Sequence, residues 1–463
     1  MATSQSIPWT DVAREAVEHL GHILSHGTSS PPAWELPAAK YLLNLLESEG
    51  IPAVLLPPRS NSGGGGNLLC SARPNLVAHV PGSGAEEPLL LLSHLDSAPR
   101  TSNDLDLPGR LMGRSLTGPG ALMGTHLAVA QAMALVLLVR TGIPLRRTVR
   151  LAATSEGAGG KGLGLRALAE NHLEHITSDI ALAWGAMSWT GPGGAPCSFL
   201  TTGEKGVLQM KLRSEGDGGR AGVRTGKDPV EQLAAALSRL CGYDFPPRPS
   251  DASQALVQSI APIIPDRGLR ELLDGLNRQA TVDRSLRALE LETQMDAGLL
   301  MLLKAALRTE RNIVRISATA PDGLRPSVAE AEINYSFPPG ENPEEVAREV
   351  AELLKSDGVY LSEKSVTPPS ASEIVPEALA LARAALHEVD PDAFLVVGLA
   401  PWPTGLGALR RYGTCVLGWE PFAIGGTLSE TLTRRGGVGE MLDMEDFARE
   451  IRAFYSFLVR AAG

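Results

Sequence analysis

Apolar residues recur at helical spacing at Val12, Ala16 and Leu20 and again at Leu42, Leu45 and Leu46, which predicts two helices between Asp11 and Gly50. Short, nearly continuous apolar runs follow at Leu76–Val80, Leu89–Ser93, Val149–Ala153 and Ile180–Trp184. Helical stretches at 124–139 and 163–173 separate several of them. Strands without polar alternation, interleaved with helices, predict an α/β layer whose sheet is largely parallel and covered on both faces. The pattern changes at Gly206. Val207–Leu212 alternates like a half-exposed strand, a helix is expected at Pro229–Leu240, and 246–305 reads as mostly helical. Strands are expected at 313–318 and 329–337, and a helix at 342–354 opens with Pro343 and acidic neighbours. Beyond Ser370 the α/β pattern returns, with a helix at 375–387, strands at 394–397 and 414–418, and a closing helix at 444–459. The expected organisation is therefore a discontinuous α/β domain, 1–205 and 371–463, interrupted by an α+β unit at 206–370.

Composition narrows the function classes. Lys+Arg number 42 against 52 Asp+Glu, a formal charge of −10, which argues against a nucleic-acid or anionic-membrane surface. Four scattered cysteines with no CxxC pair argue against a disulfide scaffold or a cysteine zinc site. The polar, acidic start from Met1 to Glu18 does not read as a signal peptide. The longest apolar run, Leu127–Val139 with Gln131 inside it, falls short of the roughly 20 residues a membrane span needs. A cytoplasmic protein is expected. His19, His22 and His26 read as a solvated helix face, and Ser60–Gly66 as a flexible loop rather than a phosphate cradle.

The chemistry-bearing segments begin with the strand that ends in Ser93-His94-Leu95-Asp96. Ligand sites in α/β sheets lie beyond strand C-termini, and an imidazole there can take a metal while a nearby carboxylate orients its ring. Further segments accompany it: Arg73-Pro-Asn-Leu-Val-Ala, Leu122-Met-Gly-Thr-His126, Thr154-Ser-Glu156-Gly157, Glu204-Lys-Gly-Val, the run from Arg411 to Phe422, and Gly437-Val-Gly-Glu440. In this order, from Thr28-Ser-Ser-Pro-Pro to the last helix, the chain resembles the aminoacylase, carboxypeptidase and desuccinylase family of co-catalytic di-zinc hydrolases, family M-twenty of the metallopeptidases. The resemblance implies a three-layer zinc-peptidase α/β domain, an inserted lid that usually dimerises, and N-acyl amino acids or peptides as substrates.

The same matching implies that the metal centre is lost. His94 falls on the first ligand and Asp96 on its orienting partner. The bridging Asp falls on Leu122, the Glu ligand on Gly157, the next acidic ligand on Ala183 or Trp184, and the late His on Gly436. Glu156 keeps the general-base position as a vestige. The lid His falls on Arg220, a candidate substrate contact, and the carboxylate-gripping Arg motif reads Thr404-Gly405-Leu406-Gly407. His126, one turn beyond Leu122, is a candidate substitute ligand. One imidazole and one carboxylate cannot fill a zinc shell, so no cofactor is expected. The resulting expectation is a non-catalytic binding or structural subunit, a homo-oligomer or a partner of an active relative through the lid. The rival expectation is an amidohydrolase with mono-metal or metal-free chemistry on N-acyl amino acids or small peptides, for which alone zinc is expected. Trp184 and Trp189 are expected to plug the old cleft or to fill the core.

Overall fold

A computed structural model describes residues 7–25, 35–58, 73–97, 110–157, 163–222, 226–292, 295–355, 358–373, 375–436 and 439–463. The Thr28–Pro32 segment, His26, the Ser60–Gly66 loop, Cys70 and Gly437-Val438 lie outside them.

The buried apolar runs form one large sheet. Its order is 53–56, 75–80, 149–154, 89–94, 180–183, 415–419, 196–204 and 370–371, with 394–400 and 187–190 also pairing with 196–204. The central strands 149–154, 89–94, 180–183 and 415–419 run parallel, as the absence of polar alternation predicts. The flanks do not. Strands 53–56 and 75–80 pair antiparallel with their neighbours, and so does 196–204 with 415–419, so the sheet is mixed rather than largely parallel. Strand Pro196–Glu204, buried along its whole length, went unread in the sequence because Ser198, Thr201 and Thr202 break its apolar run. The helix Thr125–Thr141 is buried from Thr125 to Leu138, so it reads as hydrophobic on every side. It packs in one core with Trp9–Ser25 and the closing helix Met444–Ala462.

A separate four-stranded antiparallel sheet has the order 310–317, 328–337, 206–215, 359–367. Helices Pro229–Cys241 and Pro343–Leu354 cover it, each started by a side-chain cap, Asp228 or Asn342, ahead of a proline. Leu208, Leu212, Leu233, Ile333, Tyr335 and Val350 fill the core between sheet and helices. Val207–Leu212 is therefore an inner strand, hydrogen-bonded on both sides, and offers no edge for another chain. The free edges are 310–317, with Val314 and Ile316 exposed, and 359–367, with Tyr360 and Val366 exposed.

The expected 206–370 insertion does not share one core. Helices 251–260, 267–275, 282–290 and 297–307 pack with Met187, Trp189, Phe199 and Val396 of the body. The chain thus passes between the lid sheet and the body at 204–206, 245–250, 307–310 and 367–370. These crossings meet in one neck. The buried Lys205 ammonium donates to Ala305 O (2.8 Å) and Arg308 O (2.7 Å), Arg248 N donates to Leu307 O (2.8 Å), and Ser370 pairs in register with Glu204. Burial pushes the Lys205 ammonium down to about 8.

Candidate functional site

Strands 89–94, 149–154, 180–183 and 415–419 end on the same side of the body because they run parallel. They deliver His94, Glu156, Trp184 and Glu420 to that side. A cavity of about 400 Å³ opens there, lined by His94, Met123, Gly157, Trp184, Gly185, Trp402, Pro403, Thr404, Leu432 and Arg435.

His94 is held as the sequence predicts. Its Nδ1 lies 2.9 Å from Asp96 Oδ1, and the same carboxylate oxygen accepts the Gly157 N–H at 2.7 Å. Burial alone would push the imidazole down, but the Asp96 charge and hydrogen bond outweigh it and hold the His94 pKa above its ordinary value. The ring is wedged between two glycines. A Cβ at Gly157 would lie 2.2 Å from His94 Cγ, and one at Gly124 would lie 2.1 Å from Cε1. Trp184 meets the ring edge-on at 5.3 Å between centroids. The position where the resemblance places a Glu ligand is thus space that the imidazole itself fills.

The other ligand positions carry no donor. Leu122 and Ala183 are buried among apolar neighbours, and the Trp184 indole N–H donates to Thr404 O at 3.0 Å. The Glu440 carboxylate accepts from the backbone N–H of Gly120 (2.7 Å), Leu122 (3.1 Å) and Gly436 (2.6 Å), so it ties together two positions onto which the resemblance places ligands. Arg73 grips Glu35 (2.7 Å) and the carbonyl of Ser155 (3.1 Å), which fixes the turn before Glu156. Among the described residues, no group of three or more His, Cys, Asp or Glu could hold a metal ion.

Glu156 is buried and its carboxylate accepts the Leu163 N–H at 2.7 Å. It is not among the residues that line the cavity. Arg220 is exposed in a two-residue strand that pairs with Leu324-Arg325, and it does not line the cavity either. Trp189 lies in the second core, away from Trp184.

His126, the candidate substitute ligand, lies beside two acids. Its Nε2 lies 3.6 Å from Glu420 Oε2 and 3.7 Å from Glu450 Oε1, with all three side chains fully buried. Neither ring nitrogen has a hydrogen-bond partner among the described residues, and neither Glu450 oxygen has one. Glu420 is already engaged: Oε1 accepts from Gly185 N (3.1 Å) and Ala186 N (3.2 Å), and Oε2 pairs with Arg435 Nη2. Burial, reinforced by the Glu420 charge, pushes the Glu450 pKa well up. Burial, reinforced by Arg435 and His94, pushes the His126 pKa well down.

The Thr404–Gly407 segment is bound by Glu204. The Glu204 carboxylate accepts from Thr404 N (2.5 Å), Thr404 Oγ1 (2.7 Å), Gly405 N (2.7 Å), Gly407 N (2.7 Å) and Ser370 Oγ (2.7 Å), and pairs with Arg410 at 3.2 Å. Sequence reasoning assigned no role to Glu420, Arg435, Glu450, Trp402 or Glu204. For Glu420 the legible signal was an acid placed directly after an apolar strand, at Trp419-Glu420.

Residues 202–360 match the peptidase dimerisation domain of the M20 family. The whole chain superposes on an M20 family metallo-carboxypeptidase from Sulfolobus solfataricus with a TM-score of 0.66 at 16% identity, covering 96% of this chain and 98% of that one. The chain has the fold of the M20 metallopeptidases. Human carnosine dipeptidase 1 is similar over 97% of each chain, with a TM-score of 0.68 at 12% identity. The dipeptidase Dug1p of Saccharomyces cerevisiae is similar over 98% of each chain, with a TM-score of 0.66 at 14% identity. No curated protein sequence matches the chain. On this M20 fold, no helix among the described residues is long and apolar enough to cross a membrane.

Proposed function

We propose that this chain is a non-catalytic M20-fold protein that acts as a binding or structural subunit, paired through the lid sheet with a second copy or with an active relative. The observation that carries this reading is the packing of His94 against Gly157, where a ligand side chain would have to displace the imidazole that is meant to be its fellow ligand. Hydrolysis by a two-zinc centre depends on an acidified bridging water and a clamped carbonyl. A lone imidazole turned to Asp96 supplies neither. The substrate-carboxylate segment has no arginine at Leu406 or Gly407, and Glu204 already takes its backbone N–H groups. The rival amidohydrolase would need Glu156 in the cavity, and the cavity lining leaves it out. For pairing, the free edge 310–317 and the free edge 359–367 present unpaired backbone beside exposed apolar side chains. The packing supports a revised division in which 206–245 and 308–367 form the lid and 251–307 belongs to the body.

The test is an assay of the purified protein with added zinc on N-acyl amino acids and dipeptides, run beside sedimentation velocity. No turnover above background and a dimer that dissociates on Ile316→Asp are expected. Zinc-dependent turnover abolished by Glu156→Gln would overturn the non-catalytic reading. A monomer with no co-purifying relative would overturn the pairing.

A further inference from the structure

We propose that a second cavity, formed where helices 251–307 pack on the body, binds an organic cation, a hydrocarbon body carrying one ammonium group. The cavity measures about 360 Å³ and shares no lining residue with the one at His94, so the proposal stands apart from the non-catalytic reading. Small-molecule sites have volumes of this order and are mostly apolar with a few placed polar groups. The inner wall is built from Trp189, Cys197, Ile263, Leu269 and Leu299, all buried. Burial alone pushes the Cys197 thiol up to about 12, so no charge reaches that end. Two polar groups of the rim are already in use. The Thr190 N–H donates to Gly426 O (2.7 Å), and the Thr427 hydroxyl exchanges hydrogen bonds with Glu430 (3.1 and 3.3 Å). The part of a ligand that enters is therefore hydrocarbon, and the Trp189 indole and the Met295 thioether offer it polarisable surface.

The rim carries charge of one sign. Asp266 and Asp296 line it, both exposed, and no described lining residue is basic. Each acid starts a helix. Asp266 Oδ1 accepts the Leu269 N–H (2.8 Å), and Asp296 Oδ1 accepts the Leu299 N–H (3.1 Å) and the Ser429 hydroxyl (3.1 Å). Such a cap takes one oxygen acceptor, which Ser, Thr or Asn would supply as well, so the charge is not required by that bond. Neither carboxylate has an ion-pair partner among the described residues. The same two leucines join the features: their N–H groups hold the acids, and they themselves line the inner wall. Both carboxylates are thus fixed one helical turn from apolar surface that is open to a ligand. An anion would meet two acids, and a neutral molecule would gain only the wall. An ammonium group on a hydrocarbon gains both.

Calorimetry on the full chain at pH 7, where an alkylammonium stays charged, decides the matter. The probes are 3-phenylpropylamine, 3-phenylpropanol and 3-phenylpropionate, which share one hydrocarbon body and differ in charge. The amine is expected to bind with a Kd of about 1 mM or below, the alcohol about three- to tenfold more weakly, and the acid more weakly still, by over tenfold against the amine. The double variant Asp266→Asn with Asp296→Asn keeps both caps and removes both charges. It is expected to keep the melting temperature, to weaken the amine about three- to tenfold and to leave the alcohol unchanged. Met295→Ala, at a half-buried position, is expected to weaken amine and alcohol alike by about threefold. No saturation of the amine by about 10 mM, or unchanged affinity in Met295→Ala, would overturn the site. Equal binding of amine and alcohol, or equal loss of both in the double variant, would overturn the assignment of a cation to it.

Discussion

Glu204 and Glu420 each pair with an arginine inside the same α/β body, and their surroundings are opposites. Around Glu204 every strong acceptor direction is filled, by backbone N–H groups of 404–407, two hydroxyls and Arg410. Burial pushes that carboxyl up, but Arg410 and the hydroxyls outweigh it and hold it below its ordinary value. Around Glu420 the neighbours His126 and Glu450 stand close without hydrogen bonds, and burial drives both toward their neutral forms. A satisfied buried network fixes a segment, whereas an unsatisfied one stores cost. The contrast separates a part of the body that is held firmly from one that is not. The 404–407 loop is clamped, and the ground around Glu420 is loosely compensated.

Glu204→Ala should be the largest perturbation. It strips the donors of 404–407 and leaves Arg410 buried without its acid, at a cost of about 3–5 kcal/mol in urea unfolding. A loss under about 1 kcal/mol would remove the contrast. Gly157→Ala should cost about 1–3 kcal/mol, because its Cβ meets the His94 ring. A tolerated alanine there would mean that the ring can retreat and that a ligand side chain could be restored.

Acidification should sharpen the comparison by sign. Glu204 has a lowered folded pKa, so its contribution is full above the ordinary 4.5 and is lost as pH falls through the folded value. Glu450 has a raised folded pKa, so its burden is absent below 4.5 and grows as pH rises above it. Relative to wild type, a Glu204→Gln protein should therefore regain ground below pH 4.5, and Glu450→Gln should gain ground above it, each by at most about 1.4 kcal/mol per pH unit. Matching slopes from unfolding at pH 4 to 7 would show the two acids to be alike. At pH 7 in ordinary buffer, Glu450→Gln should stabilise rather than cost, because the burden that grows above pH 4.5 is removed and no hydrogen bond to that carboxylate is lost.

Much of this was legible because it rests on short-range pattern. The buried strands announced themselves as apolar runs, and His94 with Asp96 at two-residue spacing at a strand end forms the predicted bond. Leu122, Gly157 and Gly436 stand at the positions where the resemblance places metal ligands. The rest depends on long-range pairing. Nothing local to Glu450, in a helix of ordinary amphipathic pattern, reveals that it meets His126 from 324 residues earlier in the chain. Strand 196–204 was hidden by hydroxyl side chains whose partners, Ser198 with Trp419 and Thr202 with Gly398, come from the far end of the chain. Helices 251–307 look like lid by sequence order, and nothing local shows that they bury Phe199 and Val396 of the body.

The neck around Lys205 bears on how this chain can be cut and rearranged. Because the backbone threads it at 204–206, 245–250, 307–310 and 367–370, the lid is not a cassette that a single excision removes. Deleting 206–367 would also take out four helices and uncover Trp189, Phe199 and Val396. A protease that nicks one crossing would leave the lid covalently joined through the others. Separating lid from body would require two deletions, 206–245 and 308–367, with both new junctions closed where Lys205 now holds the carbonyls of Ala305 and Arg308.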